Sequence, residues 1–248
     1  VLLHLSTWPE VERYLTHRRA IILPIGSTEQ HGPTGLIGTD IITAQAIAEE
    51  VGQRTDTLVG PGIPVGMAHH HMAFPGSMTL RPSTLVQLLR DYVMSLSAHG
   101  FREVLVINGH GGNIASVTAA FYEIYEEMRL AGRDTTPPLR CELCNWFLMP
   151  AVAALQQELY GEREGLHATP SEVAVTQYIH PTRIKIAPLD PHPGTSSSFS
   201  DWRDFRTRFP DGRMGSDPSL ATPRDGERFV QTAVAEIVAR HGDFLNGV

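Results

Sequence analysis

Residues Glu103 to Asn108 carry the unbroken apolar run Val104-Leu105-Val106-Ile107, which passes straight into Gly109-His110-Gly111-Gly112-Asn113. Behind that turn, Ile114, Val117, Phe121, Ile124, Tyr125 and Met128 recur at helical spacing. A short apolar run bounded by glycine reads as a strand buried on both faces, and the periodic stretch as an amphipathic helix. Strand, glycine turn and helix form the unit of a parallel sheet, because parallel neighbours need a crossover that no hairpin supplies. The same grammar recurs. A strand over Ala20 to Ile25 precedes a helix over Asp40 to Val51 that ends at Gly52. A strand over Thr57 to Val65 precedes a helix over Ser83 to Ala98, with Ser83 as N-cap and Gly100 as stop. The strand Leu139 to Asn145 is followed by a helix over Pro150 to Tyr160, then by one opened by Thr169-Pro170-Ser171-Glu172. Arg183 to Ala187 is a last strand candidate, and Asp225 to His241 is the closing helix. The pattern predicts an α/β fold in one domain spanning 1–248, its mainly parallel sheet covered on both faces with right-handed crossovers.

In such sheets ligands bind outside the carboxyl ends of the strands. Two turns fall there. The first strand ends in Gly26-Ser27-Thr28-Glu29-Gln30-His31-Gly32-Pro33, followed by Gly38-Thr39-Asp40. Glu29 and His31 are two apart, so in extended chain both face one side. Asp40 stands where a helix begins and reads equally as its N-cap. His110 lies in the second turn. A centre holding two divalent ions needs about three ligands per ion, with one carboxylate shared. Glu29, His31, Asp40 and His110 offer four, and Glu172 a fifth, although Glu172 also completes a capping box with Pro170 at the first helical position.

Other chemistries use fewer of these residues. Gly-His-Gly-Gly-Asn lacks the G-x-G-x-x-G spacing of a dinucleotide fingerprint. There is no G-x-S-x-G, and Ser196 to Ser198 lie in a segment without period. A glycosidase pair of carboxylates leaves the histidines idle. Cys141 and Cys144 sit on a strand rather than opening a helix, and residues three apart on a strand face opposite ways, so they read as separate core residues. The net charge of −7, with Lys and Arg interspersed among acids, gives no stripe for nucleic acid. No apolar run reaches the length of a membrane span, and a cytoplasmic location is expected. The stretch Pro188 to Pro223 is too long for an ordinary connection and reads as a lid or a subunit contact. Trp146, His71 and Trp202 are candidates for shaping the pocket.

Four motifs in order carry a resemblance: Glu29-Gln30-His31-Gly32-Pro33 with Gly38-Thr39-Asp40, His71-Met72-Ala73-Phe74-Pro75-Gly76-Ser77, Asn108-Gly109-His110-Gly111-Gly112-Asn113, and His167 with Glu172. Together they resemble the creatininase (creatinine amidohydrolase) family, and Gly215-Ser216-Asp217-Pro218 resembles its late loop. The resemblance implies a three-layer α/β/α sandwich, a homo-oligomer, often a hexamer, and hydrolysis of a C–N bond in a small cyclic or linear amide. It also implies a two-metal centre of zinc, manganese or iron. It makes Glu29, His31, Asp40, His110 and Glu172 the metal ligands, with Asp40 bridging, His167 an acid/base near the substrate, and His71 a pocket residue. There is one departure: creatininase proper carries a glutamate two residues after the histidine of the glycine turn, and this chain has Gly112. The family also includes formamidopyrimidine deformylases and a peptidase of cofactor maturation, whose turns look more like this one. A non-catalytic, metal-stabilised binding protein is the alternative from another class.

Overall fold

The computed structural model describes residues 1–132, 137–191, 194 and 198–247. Four parallel strands, β1 (Ala20–Ile25), β2 (Leu58–Val59), β3 (Glu103–Asn108) and β4 (Arg140–Asn145), lie in the order β2-β1-β3-β4. The register pairs Ile22 with Leu105 and Ile25 with Asn108, and Asn108 in turn with Asn145, so β1, β3 and β4 end level. Helices α2 (Thr39–Thr55), α3 (Pro82–Ala98) and α4 (Ile114–Leu130) make the three crossovers.

Side-chain alternation along the strands feeds two cores, one per face. Ile22, Leu105 and Ile107 pack with α2, α5 (Pro150–Leu159), α6 (Pro170–Ile179) and α8 (Pro223–Leu245). Ile21, Leu23, Val104 and Val106 pack with α3, α4 and the N-terminal helix α1 (Trp8–Leu15). Each fully buried Leu, Ile or Val contributes roughly 1.5–3 kcal/mol, which is why these uninterrupted runs commit to the centre of the sheet. The result is the expected three-layer α/β/α sandwich. Cys141 and Cys144 go to opposite cores, and both are free thiols.

Several boundaries differ from expectation. The second strand is only Leu58–Val59, joined to β1 further on by one bridge between Ile25 and Ile63, because Gly60, Pro61, Gly62 and Pro64 interrupt the ladder. Arg183 to Ala187 is not a strand: a turn over Pro181–Arg183 leads into irregular chain with Ile186 96% exposed. Helix α2 continues past Gly52 to Thr55, and α3 begins at Pro82, with Arg81 rather than Ser83 at the N-cap. The closing helix extends over 223–245. Within 188–223 the chain forms α7 (Trp202–Arg208), capped by Asp201, while residues 192, 193 and 195–197, including Ser196 and Ser197, lie outside the described residues. Among the described residues no helix is long and apolar enough to cross a membrane.

Candidate metal centre

The level ends of β1 and β3 deliver the first ligands to one edge. After Ile25 the chain leaves the sheet, and the buried side chains of Glu29 and His31 turn into the same space. His31 donates Nδ1–H to the Glu29 carbonyl at 3.1 Å, which turns its Nε2 inward. His110 follows β3 and donates Nε2–H to the Met67 carbonyl at 2.9 Å, which turns its Nδ1 inward. In both rings a backbone acceptor selects the tautomer and leaves one nitrogen for the centre. Asn108 holds the His110 turn from both sides, donating to its carbonyl at 2.7 Å and accepting from its N–H at 3.0 Å.

Asp40 does not cap α2. Gly38 is the N-cap, and Asp40 is the second helical residue, so its carboxylate is not committed to the helix end. Its Oδ1 lies 3.0 Å from His31 Nε2 and its Oδ2 3.2 Å from His110 Nδ1. Glu29 Oε1 lies 3.2 Å from His110 Nδ1 and 3.1 Å from His71 Nε2. Glu172 is both cap and member of the cluster: its Oε1 accepts Thr169 N–H at 2.7 Å and sits 3.8 Å from His31 Nε2. Two triads result, Glu29–Asp40–His110 and His31–Asp40–Glu172, with Asp40 common to both. A third set, Glu29–His31–His167, meets the same spacing.

These groups fit a metal by their unmet bonding. Glu29 Oε1 and Oε2, Asp40 Oδ2 and His31 Nε2 are buried and without an aligned hydrogen bond, although Glu29 Oε1, Asp40 Oδ2 and His31 Nε2 each lie within ion-pair reach of a neighbour in the cluster. Each such buried orphan costs roughly 1–3 kcal/mol, a penalty that a cation removes. Carboxylate oxygen and imidazole nitrogen suit zinc, manganese or iron.

The electrostatics agree. Burial alone would push the Glu29 carboxyl up, but the imidazoles of His110 and His71 hold it well below the usual range. Burial pulls His31 down, yet Asp40 and Glu172 raise it to about 10, and Glu29 and Asp40 likewise hold His110 well above its ordinary value. In the metal-free protein, protons therefore occupy the places of the cations. The raised His31 stabilises the metal-free fold fully below about pH 6.5, and this contribution is lost as pH rises through about 10. The depressed Glu29 contributes above its ordinary value near 4.5 and loses that contribution as pH falls toward its own. Zinc binding at pH 7 is accordingly expected to release about one proton per displaced imidazolium, read by calorimetry in buffers of different ionisation enthalpy. Binding without proton release would contradict this charge assignment.

Glu164, Gly165, Leu166, Phe147, Leu148 and Gln156 enclose a cavity of about 210 Å³ whose floor is Asp40, His110, His167 and Glu172. Burial, reinforced by His71 and His31, holds the His167 imidazole well below its ordinary pKa. Burial raises the Glu164 carboxyl to about 7, with Ser171 donating to it and Glu172 adding to the rise. Sequence reasoning passed over Glu164, because a lone acid three residues before His167 carries no signal.

Of the three consecutive histidines, His71 alone is fully buried and turned to Glu29. His70 stacks on Phe199 and His69 is exposed. Phe205 of α7 packs edge-on against His71 at 4.8 Å, so the late segment covers this side of the centre. Trp146 does not line the pocket: its side chain is 0% exposed in the core against Cys144 and Met149, and its neighbours Phe147 and Leu148 form the wall instead. Trp202 lies under the Arg203 guanidinium at 4.6 Å and is not part of that wall. At Gly112 a Cβ would lie 2.4 Å from both His110 Nε2 and the Met67 carbonyl, so a glutamate there would break the bond that orients His110.

A doubly covered parallel sheet with two carboxylate–imidazole triads sharing one aspartate at its strand ends defines an α/β protein with a candidate dinuclear metal centre. The family model for creatininase (creatinine amidohydrolase) matches residues 4–240. The chain belongs to the creatininase family. It is 29% identical over 219 residues to the mycofactocin precursor peptide peptidase of Mycolicibacterium smegmatis, covering 84% of this chain and 78% of that one. It is also 29% identical to the creatinine amidohydrolase of Pseudomonas putida, over 63% of this chain and 61% of the relative. A solved manganese creatininase superposes with a TM-score of 0.87 at 23% identity, over 99% of this chain and 98% of that one, a likeness that speaks for the fold.

Proposed function

We propose that this protein hydrolyses a C–N amide bond of a small cyclic or linear amide, using two divalent cations held by Glu29, His31, Asp40, His110 and Glu172. The observation that carries this reading is Asp40, which turns one oxygen to each triad. Bound there, the cations would acidify water and polarise the substrate carbonyl. The chain's own groups do the rest. Buried Glu29 and Asp40, with half-buried Glu172, supply the carboxylate oxygens that make cation binding favourable. His71 faces Glu29 from outside the triads and helps to fix it. His167, kept neutral, takes a proton at Nδ1 from the attacking water and passes it to the departing nitrogen. The cavity's apolar wall, Phe147, Leu148 and Leu166, offers the substrate a surface to pack on.

The absence of a carboxylate at Gly112 and the longer match to a peptide peptidase favour a formyl amide or peptide end over creatinine. Cytoplasmic location and a homo-oligomer remain part of the proposal.

Elemental analysis of protein purified without chelators tests the centre. About two ions per chain are expected, and about one in Glu172→Gln. One ion or none in the wild type, unchanged by the substitution, would leave Glu172 as a helix cap and overturn the dinuclear reading. Chelation separates enzyme from metal-stabilised binding protein: the enzyme loses activity on an amide and peptide panel with its fold largely kept, and the binding protein loses its fold.

A further inference from the structure

Gln30 stands between two ligand candidates, yet its side chain turns away from the cations toward the histidines behind them. Its amide orientation is fixed by two backbone groups: Gly32 N–H donates to Oε1 at 2.8 Å, and Nε2 donates to the Gly212 carbonyl at 3.0 Å. One amide N–H remains, and two ring nitrogens lie within 2.9 Å of Nε2, His71 Nδ1 and His167 Nε2. His167 Nε2 is also 2.8 Å from the backbone carbonyl of Gln30, which can only accept. His167 therefore carries its hydrogen on Nε2 and cannot take the amide's second one, which goes to His71 Nδ1. His71 must then carry its hydrogen on Nε2, the atom 3.1 Å from Glu29 Oε1, and His167 presents a bare Nδ1 to the centre, 3.9 Å from the same oxygen.

We infer that Gln30 is a positioning residue that sets the tautomers of both histidines, so that His167 Nδ1 is the atom that receives the proton. The late loop completes the device. Gly212 lies so close that a Cβ there would fall 1.8 Å from Gln30 Oε1, and its φ of +89° suits glycine alone. Ser216 donates to the His167 carbonyl at 2.6 Å, and buried Arg213 holds Ser216 through its carbonyl at 2.9 Å. The late-loop motif of the sequence thus holds the backbone of His167.

The ring assignments stand on hydrogen-bond geometry, and only the kinetic arm rests on the hydrolytic reading. Neutron diffraction from crystals of the zinc-loaded wild type is expected to show a proton on Nε2 of both His71 and His167 and none on either Nδ1. A proton on His167 Nδ1 alone would overturn the inference. In Gln30→Glu the amide N–H donors are replaced by a carboxylate oxygen that forces a proton onto His71 Nδ1. The titratable groups around His167 are Glu29, His31 and His71, with Glu164 and Glu172 in the same cavity, so the added negative charge is expected to raise the acid limb of the kcat–pH profile and to lower kcat at least tenfold, with KM little changed. Gln30→Met, uncharged and of similar length, should lower kcat without raising that limb. A Gln30→Glu profile identical to the wild type would overturn the positioning role even with the tautomers confirmed. A wild type inactive on every amide would sink the hydrolase reading alone, because the neutron maps decide the tautomers without turnover.

Discussion

Asp40→Ala will empty both metal positions and lower kcat/KM by more than about 10³-fold, beyond the loss of a single electrostatic donor. The reason is geometric. Each triad keeps two protein ligands without Asp40, but both lose the oxygen they share, and the remaining charge falls to that of Glu29 and Glu172. Glu172→Gln removes a carboxylate from one triad only, so the two variants separate a bridge from a terminal ligand. Stability of the metal-free protein should fall together with metal affinity. His31 and His110 hold their protons against Asp40 there, and removing the aspartate lets both return toward the values burial dictates. Metal content of about one ion in Asp40→Ala, with activity retained, would mean that the triads act independently and that the aspartate bridges nothing.

The parts of this arrangement that were legible in sequence share a physical cause. β1 and β3 are read easily because every residue in them is buried, and their ends therefore announce the edge where Glu29, His31, Asp40 and His110 lie. β2 was overread because apolar residues around Gly60, Pro61, Gly62 and Pro64 satisfy burial without forming a ladder. Ile184 and Ile186 alternate like a strand but have no partner strand, so they remain in exposed, irregular chain. Trp146 illustrates the limit of side-chain type as a guide: an aromatic just past a strand end fills the core as readily as a pocket. Gln30 was invisible for another reason. Past Ile25 the chain is no longer a strand, so the period-2 rule that paired Glu29 with His31 says nothing about what lies between them. The roles of Gln30 and Gly212 depend on a contact across 182 residues of chain. Glu172 was ambiguous because its capping box is real, and the oxygen that serves the helix end also faces the cluster.

His167→Ala is expected to retain the wild-type metal content while kcat falls about 10² to 10⁴-fold, the range for loss of a general acid–base group. Metal retention is the demanding half of this expectation, because His167 Nδ1 also satisfies the spacing of a third ligand set with Glu29 and His31. One observation weighs against ligation: His167 is tied to the Gln30 carbonyl and the late loop rather than to the strand ends. The pH dependence follows from the direction of its shift. Burial with His71 and His31 holds the ring neutral below the ordinary histidine value, and bound cations would add positive charge of the same effect. The acid limb of the wild-type kcat profile should therefore fall below the usual histidine range, and it should vanish in His167→Ala. Loss of one ion in the variant would make His167 a ligand and return the proton-transfer role to Glu164, the remaining non-ligand acid in the wall of the cavity.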